Sequence, residues 1–300
     1  MNIQTSVVIN TLNEEKNIER VIKSVNWADE IIVCDMNSED RTVDIAKKLG
    51  AKIVLHKRLN FVEPARNYAI SKASNEWVLI VDADEEIPEE LAKKLQDICQ
   101  KPQGVEFVEI PRKNIIFNKW MQASFWWPDY NIRFFKKGFV VWSDKIHSKP
   151  KVSGEGLKLF AEEQMAIIHY NYQTISQFVE RMNRYSGIQA KELELEGVKF
   201  NWQDLISKPT SEFLSRFFAN KGFEDGLHGL ALSFLQAFSF LLVYLKLWEV
   251  EKFKEQEIKI SDLKLVRDRA SNEINYWLKY GNISSNPFKR IFQRARNKIS

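Results

Sequence analysis

Cysteine is nearly missing from this sequence: Cys34 and Cys99 are the two present in 300 residues. Two thiols build no disulfide framework, and their spacing suits no zinc site. Both fall in apolar patterns, where a cysteine serves as a small buried hydrophobe, and a reducing compartment suits such a chain. The opening MNIQTSVVIN lacks the basic start and long apolar stretch of a secretory signal, so a cytoplasmic chain is expected. Internal repeats and low-complexity segments are missing as well. So is any strong charge: the formal net value of +4 is too small an excess to point to nucleic acid. One absence is local. After Glu273 there is no acidic residue, while Lys279, Lys289, Arg290, Arg294, Arg296 and Lys298 follow. Such an end is either a solvated tail or one drawn to an anionic membrane surface.

What remains is an ordinary globular composition, 44% apolar and 28% charged. The length suits one large domain with an appendage and is enough to bury a sizeable core. The first hundred residues alternate strand and helix. Short apolar runs at Ser6–Ile9, Ile31–Cys34, Ile53–Leu55 and Trp77–Val81 read as strands. Helical spacing of Ile18, Val21, Ile22 and Val25, then segments 40–49 (stopped by Gly50), 64–73 and 88–100, fill the gaps. This predicts an α/β fold, a mostly parallel sheet with helices on both faces. Ligands then sit beyond the carboxyl ends of the strands. Three of those four places are polar: Asn10–Glu14, Asp35–Ser38 and Asp82–Asp84.

Beyond residue 100 the character changes. Val105–Ile110 reads as a strand, and residues 117–142 are crowded with aromatics that are best explained as core under loops, a few being available to stack on a sugar ring or an acyl chain. Residues 174–196 look helical. Leu227–Trp248 is a long apolar stretch, and on a helical wheel His228, Gln236, Ser239 and Lys246 fall on one narrow stripe. The length would span a bilayer, but a polar stripe favours a helix lying in the membrane plane or packed on a partner. Aromatics mixed with cations at residues 213–223 suit an interfacial segment. A purely internal helical subdomain is the competing reading. The expected division is residues 1–200 for the α/β domain and 201–300 for a helical, membrane-associating extension with a basic tail.

Each polar edge has a plain alternative. Asp82-Ala83-Asp84-Glu85-Glu86 crowds carboxylates that a hard divalent cation would reconcile, yet alone it reads better as an acidic turn capping the helix after Pro88. Asn10–Glu15 can receive a base or phosphate at a helix start, or Asn13 can simply be an N-cap. Asp35 can accept from a ribose or base, or Ser38 and Asp40 can be caps. Arg66 can balance a diphosphate or be a surface charge.

Taken in order, the four elements are far more telling. Ser6-Val7-Val8-Ile9-Asn10-Thr11-Leu12-Asn13-Glu14-Glu15, Val33–Thr42, Ala65-Arg66-Asn67-Tyr68-Ala69 and Trp77–Glu85 together resemble the family 2 glycosyltransferases of GT-A (Rossmann-like) fold, densely over residues 4–90. Pro128–Phe135, Trp142–His147 and the segment from Gly222 through Glu249 are similar to the branch that contains lipopolysaccharide-core β-glucosyltransferases. The family often has Pro where this chain has Asn10, and Gly where it has Asn37.

The resemblance implies an inverting, metal-dependent hexosyltransferase with a nucleotide-sugar donor, a UDP-hexose such as UDP-glucose. The acceptor would be a lipopolysaccharide-core or other lipid-linked glycan of the cell envelope, and the enzyme peripheral on the inner face of the cytoplasmic membrane. It places Thr11, Asn13, Glu14 and Asp35 around the nucleotide, Arg66 and Asp82 at the diphosphate, and Asp84, Asp82, Glu86 and His147 on Mg²⁺ or Mn²⁺. Asp129, in the aromatic segment, is the expected general base and Glu85 the reserve; the alternative for Asp129 is a salt bridge to Arg133 on one helical turn. His169 is expected in the core. Two rival functions differ in sequence. A sugar nucleotidyltransferase needs a Gly-rich loop after the first strand, and Asn10–Glu14 has no glycine. A non-catalytic, membrane-associated sugar-nucleotide-binding protein would be expected to have lost the metal aspartates, and both are present.

Overall fold

The computed structural model describes residues 4–58, 63–142 and 149–280. Strands β1 (Thr5–Thr11), β2 (Glu30–Asp35), β3 (Lys52–Leu55) and β4 (Trp77–Asp82) alternate with helices α1 (Ile18–Ser24), α2 (Thr42–Lys48) and α3 (Glu63–Ser71). A two-residue strand, β5 (Glu85–Glu86), precedes α4 (Glu89–Gln100). Then come β6 (Val105–Ile116), β7 (Lys119–Trp120), β8 (Asp129–Lys136), the short pair β9 (Val140–Val141) and β10 (Lys151–Val152), β11 (Glu155–Lys158) and β12 (Ile167–Tyr172). The sheet runs β3-β2-β1-β4-β8-β6-β12-β5, with β11 beside β6. Pairing among β1 to β4 is parallel, and β8 joins both β4 and β6 antiparallel. This mixed sheet with helices on both faces is the expected α/β class, followed by a C-terminal helical region.

Alternation along the strands sends neighbours to opposite faces. Val7, Ile9, Leu79 and Val81 meet Ile18, Val21 and Ile22 of α1 and Leu91 and Leu95 of α4. Val8, Val78 and Ile80 meet Ala69 of α3, together with Phe135 and Trp142. Both faces are covered, which is why these strands are continuous apolar runs rather than alternating ones. Trp77 stacks on Phe134 across the β4–β8 pair at 4.6 Å, a contact worth about 0.5–1.5 kcal/mol beyond its burial. Much of the aromatic-rich middle is therefore strand: Phe134 and Phe135 are fully buried core.

The chain divides into two compact units, Met1–Ile115 with Pro128–Asn171, and Ile116–Trp127 with Tyr172–Ser300. The second holds α5 (Ile175–Leu195), α6 (Asp204–Leu214), α7 (Gly226–Val250) and α8 (Ile260–Tyr280). The segment before α7 is a pin rather than a linker. Buried Asp225 accepts from the backbone N–H groups of Gln122 and Ala123 at 3.1 and 2.9 Å. Glycine is required nearby, because a Cβ on Gly229 would lie 1.8 Å from the Gly222 carbonyl oxygen.

Candidate active site

The parallel register brings the polar ends of three strands together. Asn10 lies between Cys34 and Asp82, and Thr11 beside Asp35. Asp35 is buried and accepts from the Ser38 N–H at 3.0 Å and hydroxyl at 2.6 Å. Asn13 laces the two loops: its N–H donates to Ser38 Oγ, and its Oδ1 accepts from the Glu39 N–H, both at 2.8 Å. Asn13 is thus not a helix cap, since Asn17 stands at the start of α1. Glu14 accepts from Asn17 Nδ2 at 2.7 Å, and its own N–H donates to Thr42 Oγ1. Asn13 and Asn37 have φ of 57° and 63°. Asparagine is among the few non-glycine residues that accept this left-handed conformation, so Asn37 keeps the loop geometry a glycine would give.

Asp82-Ala83-Asp84 is not a cap of α4 either; β5 and Pro88 intervene, and no side chain caps that helix. Asp82 instead anchors a buried ion-pair network. Its carboxylate accepts from Arg133 Nη2 at 2.6 Å and from Arg66 Nη2 at 3.3 Å. Burial pushes its proton affinity up, but Arg133 and Arg66 outweigh that and hold it far below the usual carboxylate range. Glu85 is fully buried. Its Oε2 accepts from the Asp82 N–H at 2.9 Å, and its Oε1 from Arg133 at 3.0 Å and Arg112 at 3.3 Å. Asp129 lies on a strand, not a helix, and pairs with Arg112 (2.6 and 2.8 Å) rather than with Arg133. Asn114 Nδ2 adds a third bond to the same oxygen at 3.1 Å. Burial raises the Asp129 proton affinity and Arg112 more than reverses it, so this carboxyl also sits low.

His169 is buried, as expected, but it is no inert core residue. Its Nε2 stands 3.5 Å from Asp84 Oδ2, and its Nδ1 is 2.7 Å from Asn114 Oδ1. Asn114 donates through Nδ2 to Asp129, which leaves Oδ1 to accept, so His169 Nδ1 carries a proton. Nε2 is then the ring nitrogen turned toward Asp84. Glu86 projects the other way from β5. Its Oε2 accepts from Tyr170 Oη at 2.9 Å and lies 3.9 Å from Arg20 Nε. His147 lies outside the described residues.

The structure thus brings Thr11, Asp35, Arg66, Asp82, Asp84, Glu85 and Asp129 to one edge and turns Glu86 away. Among the described residues, no three His, Cys, Asp or Glu side chains form a ready-made metal cage. Sequence reasoning missed Arg112, Asn114 and Arg133 as a set. The signal was there as period-two spacing, Arg112 with Asn114 on β6 and Asp129, Asn131 and Arg133 on β8. Several buried polar atoms at this edge have no protein partner: both amide atoms of Asn10, Thr11 Oγ1, Arg66 Nε and Arg133 Nη1. Buried polar atoms are rarely left so.

Several known proteins are similar to this chain. A family model described as glycosyl transferase family 2 matches residues 6–151. An uncharacterized glycosyltransferase of Rickettsia typhi is 34% identical, over 90% of this chain and 92% of the relative. The lipopolysaccharide core biosynthesis glycosyltransferase LpsC of Rhizobium meliloti is 23% identical over 77% of this chain and 90% of its own length. Among solved structures, glucosyl-3-phosphoglycerate synthase from Mycobacterium tuberculosis, in complex with Mn²⁺, UDP and glucosyl-3-phosphoglycerate, shares 28% identity at a TM-score of 0.32. That match covers 36% of this chain and 43% of the synthase, so this chain spans less than half the length of that structure.

Proposed function

Since this chain belongs to glycosyl transferase family 2, we propose that it moves a hexose from a UDP-sugar donor such as UDP-glucose onto a lipid-linked glycan of the lipopolysaccharide-core kind, inverting the anomeric carbon, at the inner face of the cytoplasmic membrane. The observation that carries the donor half is the set of unpartnered buried groups on Asn10, Thr11, Arg66 and Arg133 at the carboxyl edge of β1 and β4. Donors and acceptors held out of water beside two guanidiniums suit a nucleoside diphosphate. The LpsC relative supports the acceptor class.

In this reading Thr11, Asn13, Glu14 and Asp35 line the nucleotide, with the bonds between Asn13, Ser38 and Glu39 holding the two loops in register. Arg66 and Arg133 face the diphosphate and stabilise the charge that builds on it as the sugar leaves. Asp82 keeps both guanidiniums in place. Asp84 Oδ2 and His169 Nε2 would hold a Mg²⁺ or Mn²⁺ ion. It would neutralise leaving-group charge, with diphosphate oxygens completing its ligands. Asn114 would then orient His169 and set its tautomer, as outer-shell partners of metal-bound histidines do. Glu86, engaged by Tyr170 and Arg20, is not part of this set.

Deprotonation of the acceptor hydroxyl falls to Asp129 rather than Glu85. Glu85 has both oxygens bonded in full burial, whereas the Asp129 side chain is 28% exposed. Its Oδ1 is bonded only to Asn131 Nδ2, at 3.2 Å, among the hydrogen bonds of described residues. The low proton affinity imposed by Arg112 keeps Asp129 ionised near neutral pH, at some loss of basicity.

Donor hydrolysis by the purified chain with Mn²⁺ or Mg²⁺ and a panel of UDP-sugars tests the reading. Release of UDP from one of them is expected, and Asp84→Asn should lower it by about a hundredfold or more. Full activity in Asp84→Asn would remove the metal assignment. No binding of, or release from, any UDP-sugar would remove the donor assignment.

A further inference from the structure

Helix α7 is apolar both on the side that packs against the protein and on the side that does not. Three of its polar residues are bonded to protein atoms. His228 Nε2 lies 3.1 Å from the Phe117 carbonyl oxygen. Ser233 Oγ donates to the Gly229 carbonyl at 2.7 Å, and Lys246 Nζ to Asn183 Oδ1 at 2.7 Å. Leu227, Ala231, Phe234, Phe238, Leu241 and Leu245, spaced by four and three residues, share one side of the helix over about 27 Å, with Ala231, Leu241 and Leu245 half-buried. Leu227, Phe234 and Phe238 are 78%, 59% and 46% exposed. Phe213, at the end of α6, packs on Phe234 at 4.6 Å and widens the patch. A contiguous apolar surface of this kind marks a docking site.

We propose that this face of α7 seats the chain on an anionic lipid bilayer, with the helix lying in the membrane plane. Crossing is disfavoured because the opposite side is already occupied: Leu232, Val243 and Leu247 are buried against Met182, Ala190 and Phe200. Charge selects the occupant. Residues 172–278 carry 14 Lys and Arg against 15 Asp and Glu, so the chain's positive excess lies in the segment after them. Six cations follow Glu273 with no acid among them. Anionic headgroups attract such a segment, whereas a second copy carrying the same charge repels it. The inference deepens the membrane-surface reading above and rests on it for the choice of a bilayer, but it can fail separately from sugar transfer.

The test is co-sedimentation of the full chain with vesicles of phosphatidylcholine, alone or mixed with phosphatidylglycerol, alongside donor hydrolysis without vesicles. Binding to the anionic vesicles is expected. The doubly substituted Phe234→Ser, Phe238→Ser chain should lose about tenfold or more of that affinity, the contribution of two exposed rings, with hydrolysis and melting temperature unchanged. Asp84→Asn should bind vesicles as the parent does while losing hydrolysis, which separates the two readings. Equal vesicle binding by the double variant would overturn the proposal, as would equal binding to neutral and anionic vesicles. So would a parent dimer, by light scattering, that the double variant dissolves.

Discussion

The first unit buries charge, and the second leaves apolar surface outside. At the sheet edge, Glu85 and Arg133 are buried, and Asp82 and Arg112 half-buried, in mutual ion pairs. On α7, Leu227, Phe234 and Phe238 stand in solvent while Lys246 and His228 bond protein atoms. Both arrangements run against the usual partition of residues between core and surface. Each has a cost to folding, and each coincides with a place where a ligand or surface can offset it. The kind of ligand differs with the kind of violation. Orphaned polar atoms call for a polar ligand, and a bare apolar stripe calls for an apolar surface.

This contrast can be broken most forcefully at Arg133. Arg133→Met leaves Asp82 and Glu85 buried without their shared cation, and a loss of about 3–5 kcal/mol is expected in urea unfolding. A variant as stable as the parent would mean that the network is not a closed electrostatic unit. On α7 the two sides should answer differently. Leu232→Ala, at a buried position, should cost about 2–5 kcal/mol, whereas the larger Phe238 should tolerate Ala within about 0.5 kcal/mol. Equal losses would show that the outer face is packed after all. The smallest effect is on pH dependence. Asp82 and Asp129 have folded proton affinities below those of the unfolded chain. Their contribution is therefore fully present above the ordinary aspartate value of about 3.9 and is lost as pH falls below it. Melting temperature followed from pH 7 downward should drop in that acid range, and the Arg133→Met chain should drop less.

Much of the first unit was legible because its signals are local. Apolar runs marked β1 to β4, Gly50 marked the end of α2, and Pro88 marked the start of α4. The strand-edge rule then pointed to Thr11, Asp35 and Asp82 without any contact being known. The rest depended on pairing across distance. His169 meets Asp84 because β12 pairs with β5, placing His169 opposite Glu85. Nothing near His169 in the chain announces that. Asp129 and Arg133 would face each other only on a helical turn, yet they lie on a strand, and their partners come from β6 (Arg112, Asn114), β4 (Asp82) and β5 (Glu85).

The same division holds for α7. By itself the sequence determined that His228, Gln236, Ser239 and Lys246 share one side of a helix and that Phe234 and Phe238 share another, because 3.6 residues per turn is a property of the backbone. Which side met the protein was decided only in the tertiary structure, where Asn183 and the Phe117 carbonyl gave the polar groups their partners. Periodicity groups residues into faces, but only packing decides which face is left outside.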